Sequence, residues 1–212
     1  MQSLQDFRET EKLAASWDTQ WRQSAQSDKF TPLGKRMFVA KRAAIKNILR
    51  NLPIVTAVEV GCGSGHTLAV LQEMGYDCVG IDASPHAVSI CERKGLRAMH
   101  RKLEDVEGAF DLVSSDGMLE HFLNFEPYAR HMMRISNRYV LLIQPNHASL
   151  IGKTLAFLSE VLCGGKNMYE YNYRMEDFID VFNRAGFKAV ANAPVFHDVF
   201  RCLLFTRDTP SP

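Results

Sequence analysis

Three glycines occupy alternate positions in the run VEVGCGSGHT, which covers residues 58–67. The run begins with apolar, β-branched residues that are typical of a buried strand, where glycine is unfavourable. The pattern therefore predicts a tight turn from a strand into a helix, at which a ligand approaches the backbone and unpaired N–H groups of the helix. The alternative is a tight turn that binds nothing.

The spacing of the glycines narrows the kind of ligand. A dinucleotide fingerprint, G-x-G-x-x-G, would fit Gly61 and Gly63 but would place its third glycine at His66, whereas the chain has Gly65. Glu59 stands just before the loop, where a carboxylate repels a pyrophosphate and attracts a cationic amino group. We therefore expect a nucleotide-like ligand with an amino group, and not a nicotinamide dinucleotide.

A second carboxylate, Asp82, ends the apolar run VGID about twenty residues later. An acidic residue at the end of the second strand can accept hydrogen bonds from both hydroxyls of a ribose. Alternatively, Asp82 or Ser84 caps the helix that begins at Pro85. Both roles can hold, because Ser84 is the better placed N-cap.

His121, in the run MLEHF, is the candidate catalytic residue. It follows an apolar run that predicts a strand, so it should lie at the same edge of the sheet as the glycine loop. A histidine there can remove a proton from an acceptor. The alternative is that His121 packs or caps a short helix. No set of His, Asp and Glu has the spacing of a metal site.

The elements that position these residues alternate along the chain. Apolar runs at 57–62, 78–83, 110–115 and 139–145 predict buried strands, and helical periodicity lies between them. Strands that alternate with helices indicate parallel βαβ units and a doubly wound α/β sheet. An amphipathic helix over 175–187 is followed by two apolar runs separated by His-Asp, which predict a hairpin.

Composition excludes several other classes of protein. The 212 residues are 46% hydrophobic, which suits one globular domain, and the formal net charge of +1 argues neither for nor against a nucleic acid or membrane partner. The five scattered cysteines form no CxxC pair, so neither a zinc site nor a disulfide framework is expected. The polar N-terminus and short apolar runs predict a cytoplasmic protein without a transmembrane segment.

Three motifs in this order resemble those of the class I S-adenosylmethionine-dependent methyltransferases. They are E-V-G-C-G-S-G, then G-I-D-A-S, then F-D-L-V-S-S-D-G-M-L-E-H-F. The chain is most similar to the broad small-molecule branch often labelled type 11, over roughly 55–144 with weaker support from 173–187. The resemblance implies a doubly wound, Rossmann-like seven-stranded sheet, mostly parallel, with a C-terminal antiparallel hairpin and helices on both faces. It also implies S-adenosyl-L-methionine as the cofactor.

The resemblance assigns roles to individual residues. It implies that Glu59 lies near the methionine amino group and that Ser115 offers its backbone carbonyl to the same group. Asp82 would hold the ribose and Ala83 would pack on the adenine. The residues expected beside the methionine moiety and sugar are Gly61, Cys62, Gly63 and Gly65.

One position departs from the family pattern. After the third strand, relatives often carry an acidic residue that accepts a hydrogen bond from the adenine amino group, but this chain has Lys102. Glu104 or Asp105 could substitute after a small shift in register, and the backbone of Leu103 could still serve the adenine ring.

Two regions lie outside the shared pattern. Residues 1–50 are expected to form an N-terminal helical arm or lid, in which Trp17 and Trp21 share one helical face. Residues 51–212 would form the methyltransferase domain, with a cap insertion at about 146–174. The stretch 29–50 contains seven basic residues and no acidic one. It predicts either a solvated helix face or a contact with phosphate or RNA.

These observations favour methyl transfer to a small-molecule acceptor, whose accepting atom is O, N or C. Two alternatives remain open. One is an RNA or protein methyltransferase that uses the basic stretch 29–50. The other is a non-catalytic module that binds S-adenosylmethionine, to which Lys102 gives slight support.

Overall fold

The computed structural model of the chain describes residues 12–13, 15–22, 32–149 and 170–207. These residues build a seven-stranded sheet with the strand order β3-β2-β1-β4-β5-β7-β6. Strands β1 to β5 pair in parallel, whereas β7 lies antiparallel between β5 and β6. The strands are β1 Thr56–Val60, β2 Asp77–Asp82, β3 Ala98–His100, β4 Phe110–Asp116, β5 Ser136–Pro145, β6 Phe187–Val195 and β7 Phe200–Arg207.

Helices connect the parallel strands and cover both faces of the sheet. The α-helices are α1 Pro32–Leu49, α2 His66–Glu73, α3 Pro85–Arg93, α4 Glu126–Arg134 and α5 Met175–Arg184. Two single turns of 3₁₀-helix, Leu103–Asp105 and Leu119–His121, follow β3 and β4. A further helical segment over 15–22 lies before α1.

Two hydrophobic clusters flank the sheet. One contains buried residues of α4 and α5, such as Met132 and Phe178, and the other contains residues of α1 and α2, such as Ile45 and Leu68. Successive residues of a central strand point into opposite clusters, so apolar residues stand next to each other along the strand, as Leu112 and Val113 do in β4. This explains why the strands show no alternation of apolar and polar residues in the sequence.

The expected fold class is confirmed. The four predicted strands correspond to β1, β2, β4 and β5, and the two C-terminal runs form the β6–β7 hairpin. Among the helices that the structure describes, none has the length and apolar composition needed to cross a bilayer. The arrangement brings the ends of β1, β2 and β4 together at one edge of the sheet.

Candidate active site

A cavity of about 640 Å³ lies at the carboxyl ends of the parallel strands. Its volume falls within the range of pockets that bind small ligands. The walls come from the β1–α2 loop, the end of β2, the 3₁₀ turn after β3 and the end of β4. Residues of α1 and of the helical segment 15–22 complete them. The cavity therefore lies at the edge of the sheet at which the sequence predicted the site.

The glycine loop has a backbone that only glycine adopts easily. Gly61 and Gly63 line the cavity with φ angles of 68° and 51°, and the N–H groups of Gly61 and Cys62 donate to the carbonyl of Ile81. A Cβ atom on Gly63 would lie only 2.7 Å from the ring of Trp21. Glycine is thus required here both for the turn and for the close approach of the tryptophan.

Gly65 serves packing and does not line the cavity. It precedes α2 with a φ angle of 78°, and a Cβ atom there would lie 2.5 Å from Leu96 and 2.8 Å from the sulfur of Cys91. The third glycine therefore lets α3 and its following turn pack closely against the loop. Its expected contact with a cofactor stays a prediction.

Glu59 presents a buried carboxyl group to the cavity. The residue is only 2% exposed, and its Oε2 atom has no hydrogen-bond partner among the described residues. Burial, followed by the negative charge of Asp116, raises the pKa of Glu59 well above its ordinary value. An unpartnered buried carboxylate is costly, so this atom is a place where a cationic ligand group would be stabilised.

Asp82 holds the glycine loop to the next strand. Its Oδ2 atom accepts a hydrogen bond from Gly63 N at 2.9 Å, and its Oδ1 atom accepts one from Ser84 N at 2.8 Å. Ser84 is the N-cap of α3, because its hydroxyl accepts a hydrogen bond from Ala87 N. The cap is therefore Ser84, as expected. Asp82 and Ala83 both line the cavity, and burial raises the pKa of Asp82.

The turn after β3 forms the far end of the cavity. Lys102, Leu103 and Glu104 line it, whereas Asp105 is absent from its walls. Leu103 is buried and Glu104 is exposed. Of the two acidic residues that could replace the missing acceptor at Lys102, Glu104 is therefore the one in position.

The end of β4 reaches the cavity one residue later than expected. Ser115 is buried and absent from the cavity walls, and its hydroxyl donates to the carbonyl of Val60 at 3.0 Å. Asp116 and Gly117 line the cavity instead. The proposed contact through the Ser115 carbonyl stays a prediction.

Asp116 is a site residue that sequence reasoning missed. Its Oδ1 atom accepts from Lys41 Nζ at 2.6 Å, and its Oδ2 atom accepts from the hydroxyl of Thr67 at 3.2 Å. Lys41 also lies 4.0 Å from the ring centroid of Phe200. The available signal was an acidic residue directly after the apolar run 110–115, at the strand end expected to lie near the glycine loop.

His121 lies at the cavity wall next to a second buried glutamate. It is 7% exposed, its ring contacts Trp17 edge-on with centroids 4.9 Å apart, and its Nε2 atom lies 3.9 Å from Oε1 of Glu120. Burial, followed by nearby carboxylates, raises the pKa of Glu120 to about 8. The sequence therefore located the histidine, but it gave no indication that Glu120 is buried beside it.

The helical segment 15–22 covers the cavity. Trp17 and Trp21 stack with centroids 6.0 Å apart and both line the cavity. Asp18 lies between them and accepts a hydrogen bond from the Ser84 hydroxyl at 2.7 Å, and it contacts His86 Nδ1 at 2.9 Å. These contacts lower the pKa of Asp18 to about 2. The segment is thus fixed to the β2–α3 turn and reaches the histidine on the other side.

The basic stretch is mainly a helix with internal ion pairs. Lys41 pairs with Asp116, while Arg42 and Lys46 pair with Glu73 of α2. Half of the six basic residues between 32 and 50 therefore have acidic partners within the domain.

Most of the predicted cap lies outside the described residues, which omit 150–169.

Comparison with known proteins agrees with this fold. The model of a family described as "Methyltransferase domain" matches residues 26–192, which is most of the chain. The chain therefore belongs to this methyltransferase family, and the class I S-adenosylmethionine-dependent methyltransferase expected from the sequence is confirmed. Methyltransferases of this class use S-adenosyl-L-methionine as the methyl donor.

Individual relatives are more distant. Ajmaline N-methyltransferase of Rauvolfia serpentina is 35% identical over 104 residues, which is 42% of this chain and 35% of that protein. Ubiquinone biosynthesis O-methyltransferase of Methylococcus capsulatus is 35% identical over 75 residues, or 31% of this chain and 32% of that protein. The matches thus span about a third of the length of these curated relatives.

A solved structure extends the likeness to nearly the whole fold. Magnesium protoporphyrin IX methyltransferase of Synechocystis PCC 6803, crystallised with S-adenosylhomocysteine, has a TM-score of 0.72 at 18% identity. The likeness covers 93% of this chain and 99% of that protein. At this identity the comparison establishes a shared fold.

Proposed function

We propose that the protein transfers the methyl group of S-adenosyl-L-methionine to a small-molecule acceptor. The observation that carries the proposal is that one cavity is lined by Glu59, the glycine loop, Asp82 and His121. These four features thus face the same space. Glu59 suits an amino group, the glycine loop allows close approach of a ligand, Asp82 suits a ribose, and His121 lies where an acceptor would bind. Family membership supports the same conclusion.

The residues present fit the cofactor. Glu59 has an unpartnered buried oxygen that suits an ammonium group, and Gly61 and Gly63 present their backbone to the cavity. Asp82 already accepts two backbone hydrogen bonds, but its carboxylate oxygens have further lone pairs for ribose hydroxyls. When bound, S-adenosylmethionine supplies a methyl group on a positively charged sulfur, which leaves as a neutral thioether.

The chain's own contribution is mainly to position the acceptor and to exclude water. The walls near His121 are apolar or aromatic, and they include Trp17, Met118 and Phe122. His121 is placed to take a proton from an acceptor that must lose one. The relatives are named for N-methylation of ajmaline, for O-methylation in ubiquinone biosynthesis and for methylation of magnesium protoporphyrin IX, which supports a small-molecule acceptor and leaves the accepting atom open.

The N-terminal arm is proposed to act as a lid over this cavity. The helical segment 15–22 touches the glycine loop through Trp21, the β2–α3 turn through Asp18 and His121 through Trp17. A cover that contacts three walls would exclude water from the reacting groups. The insertion at about 146–174 is proposed as a second cover.

Calorimetric titration with S-adenosylhomocysteine tests the proposal, with Asp82→Ala and Asp77→Ala as a matched pair on β2. Asp82 faces the cavity, whereas Asp77 is exposed at the other end of the strand and pairs with Arg97. We expect Asp82→Ala to weaken binding by about tenfold or more, as the loss of charged hydrogen bonds should. Asp77→Ala should bind like the unmodified protein.

Three results would decide between the functions considered. Absence of binding by the folded protein, or equal weakening by both substitutions, would contradict the proposed site. Binding without turnover of any acceptor would favour a non-catalytic module. RNA binding that is lost on reversing the charges of Lys35 and Arg36 would favour an RNA acceptor, although the ion pairs of Lys41, Arg42 and Lys46 weigh against it.

A further inference from the structure

Two cysteines meet directly behind the glycine loop. Cys62 lies between Gly61 and Gly63, and Cys91 lies in α3. Their sulfur atoms are 3.9 Å apart, and both residues are buried, with exposures of 5% and 0%. In the described part of the chain, no other two cysteines have sulfur atoms in contact.

Two glycines make room for this pair of sulfurs. A Cβ atom on Gly65 would lie 2.8 Å from the Cys91 sulfur, and one on Gly80 would lie 2.8 Å from the Cys62 sulfur. The Cys91 sulfur also lies 3.3 Å from the carbonyl oxygen of Gly63. The pair therefore joins α3 to the loop at the position where the loop faces the cavity.

The environment distinguishes the two thiols. A hydrogen bond from Cys62, and then the positive charge of Lys94, lower the pKa of Cys91, although burial opposes this. The same hydrogen bond and burial raise the pKa of Cys62. Cys62 is one of the residues that line the cavity, whereas Cys91 is absent from the cavity walls.

We propose that Cys62 and Cys91 are an oxidation site, at which a peroxide forms a disulfide that disables the glycine loop. The Cys62 thiol first passes its proton to the hydrogen-bonded Cys91 sulfur, and the resulting Cys62 thiolate attacks one oxygen of hydrogen peroxide. The O–O bond breaks, the departing hydroxide takes the proton back from Cys91, and a sulfenic acid and one water result. The Cys91 sulfur then displaces the sulfenic oxygen, which leaves as a second water with the remaining thiol proton. In total, two thiols and one peroxide give one disulfide and two waters.

The disulfide has a direct consequence for the loop. A disulfide bond is about 2.05 Å long, so the two sulfurs must approach each other by almost 2 Å. This movement pulls Cys62 toward α3 and strains the hydrogen bonds of Gly61 N and Cys62 N to Ile81 and of Gly63 N to Asp82. The loss of cofactor affinity rests on the proposed function, whereas formation of the disulfide does not.

Peptide mapping of the full chain after peroxide treatment tests the bond. No Lys or Arg lies between Arg50 and Arg93, so trypsin leaves Cys62, Cys78 and Cys91 in one peptide. A second cleavage, before Asp77 and Asp82, places the three cysteines in separate fragments. We expect fragments containing Cys62 and Cys91 to remain joined until a reductant is added, and Cys78 to stay a thiol.

Two matched variants and two readouts complete the experiment. Cys91→Ser keeps a donor near Gly63 but cannot form the bond, and Cys78→Ser removes a buried thiol whose sulfur lies 3.9 Å from the Leu68 carbonyl oxygen. Oxidation should weaken S-adenosylhomocysteine binding at least tenfold in the unmodified protein and in Cys78→Ser, and a reductant should restore the affinity. In Cys91→Ser the affinity should not fall in this way. Tryptophan fluorescence should change in the same samples without ligand, because Trp21 rests on Gly63.

The outcomes separate the two proposals. Independent sulfinic acids, a link to another cysteine, or unreacted thiols would overturn the oxidation site. A Cys62–Cys91 disulfide that changes neither affinity nor fluorescence would overturn its effect on the loop. If the reduced protein binds no S-adenosylhomocysteine, the proposed function fails, while mapping and fluorescence still decide this inference.

Discussion

Glu59 and Glu120 are both buried carboxyl groups at the ligand edge of the sheet, and each has an oxygen without a hydrogen-bond partner among the described residues. They differ in what they face. Glu59 lines the cavity, whereas Glu120 lies behind the cavity wall, next to His121. We therefore expect Glu59 to respond to a ligand and Glu120 to respond to pH.

Glu59→Gln should remove a proton release that accompanies cofactor binding. Because the pKa of Glu59 is raised, the carboxyl keeps its proton at pH values where an ordinary glutamate is ionised. A cation beside it favours the ionised form, so binding in that pH range should release a proton and should strengthen as pH rises. Calorimetry in buffers of different ionisation enthalpy measures the number of protons released.

The variant should bind about tenfold or more weakly and should show a smaller proton release than the unmodified protein. Glu73→Gln is the matched control, because Glu73 lies in α2 outside the cavity and pairs with Arg42. An identical proton count in the unmodified protein and in Glu59→Gln would show that Glu59 does not face the ammonium group.

Glu120→Gln should alter how stability depends on pH. The pKa of Glu120 is about 8 in the folded chain against an ordinary 4.5, so between these values the folded state binds more protons than the unfolded state. Stability therefore falls as pH rises through this window, by up to about 1.4 kcal/mol per pH unit. The amide cannot ionise, so the variant should gain stability relative to the unmodified protein as pH rises.

Urea unfolding at pH 5, 6.5 and 8 measures the free energy of unfolding for both proteins. Glu107→Gln, at an exposed position, is the control, and its free energy of unfolding should differ little from that of the unmodified protein at each pH. A stability difference between the unmodified protein and Glu120→Gln that stays constant from pH 5 to 8 would contradict the raised pKa.

At the scale of elements, helix α1 connects the N-terminal arm to the end of β4. Lys41 and Arg42 are adjacent in α1, yet their ion pairs differ in environment. The Lys41 and Asp116 side chains are 14% and 13% exposed, whereas those of Arg42 and Glu73 are 47% and 40% exposed. Neighbouring residues of one helix thus offer a direct comparison of a mostly buried ion pair and a surface ion pair.

Lys41→Met should destabilise the fold by about 2–3 kcal/mol, because it leaves Asp116 mostly buried with the Thr67 hydroxyl as its remaining side-chain donor among the described residues. Arg42→Met should cost less than about 1 kcal/mol, since exposed pairs contribute little. Urea unfolding measures both free energies. The double variant Lys41→Met, Asp116→Asn removes the unpaired negative charge as well and should recover much of the lost stability. Equal losses of stability in the two single variants would contradict the difference in burial.

Local patterns predicted the elements but not the contacts between them. The apolar runs and the glycine loop located β1, β2, β4, β5 and the hairpin, because strand burial and turn geometry depend on adjacent residues. The strand β3 has only three residues and no apolar run, so it gave no signal. The Lys41–Asp116 pair joins positions 75 residues apart, and no periodicity encodes such a contact.

The same limit applies to the candidate site. Glu59, Gly61, Gly63, Asp82 and His121 could be predicted because motifs at strand ends must meet at one edge of a parallel sheet. Whether a loop residue faces the cavity depends on packing against other elements. Gly65 and Ser115 therefore lie outside the cavity walls, although each is one or two residues from a residue that lines them.

At the scale of the whole molecule, the segment 15–22 connects the two sides of the ligand edge. Asp18 binds the turn after β2, and Trp17 contacts His121 after β4. With the proposed cofactor site, a bound cofactor would lie between these two contacts, and we propose that the segment moves when ligands enter or leave. The strength of the Asp18 contacts should therefore control the rate of exchange.

Asp18→Ala should accelerate dissociation of S-adenosylhomocysteine several-fold and weaken affinity by a similar factor, because it removes the contacts to Ser84 and His86. Thr19→Ala is the matched control, since its exposed hydroxyl only bonds the carbonyl of Ala15 within the segment. Stopped-flow tryptophan fluorescence reports both the rates and the environment of Trp17 and Trp21. Equal dissociation rates for the two variants would show that the segment does not gate the cavity, whereas faster release from Asp18→Ala alone would establish that closing the arm retains the cofactor.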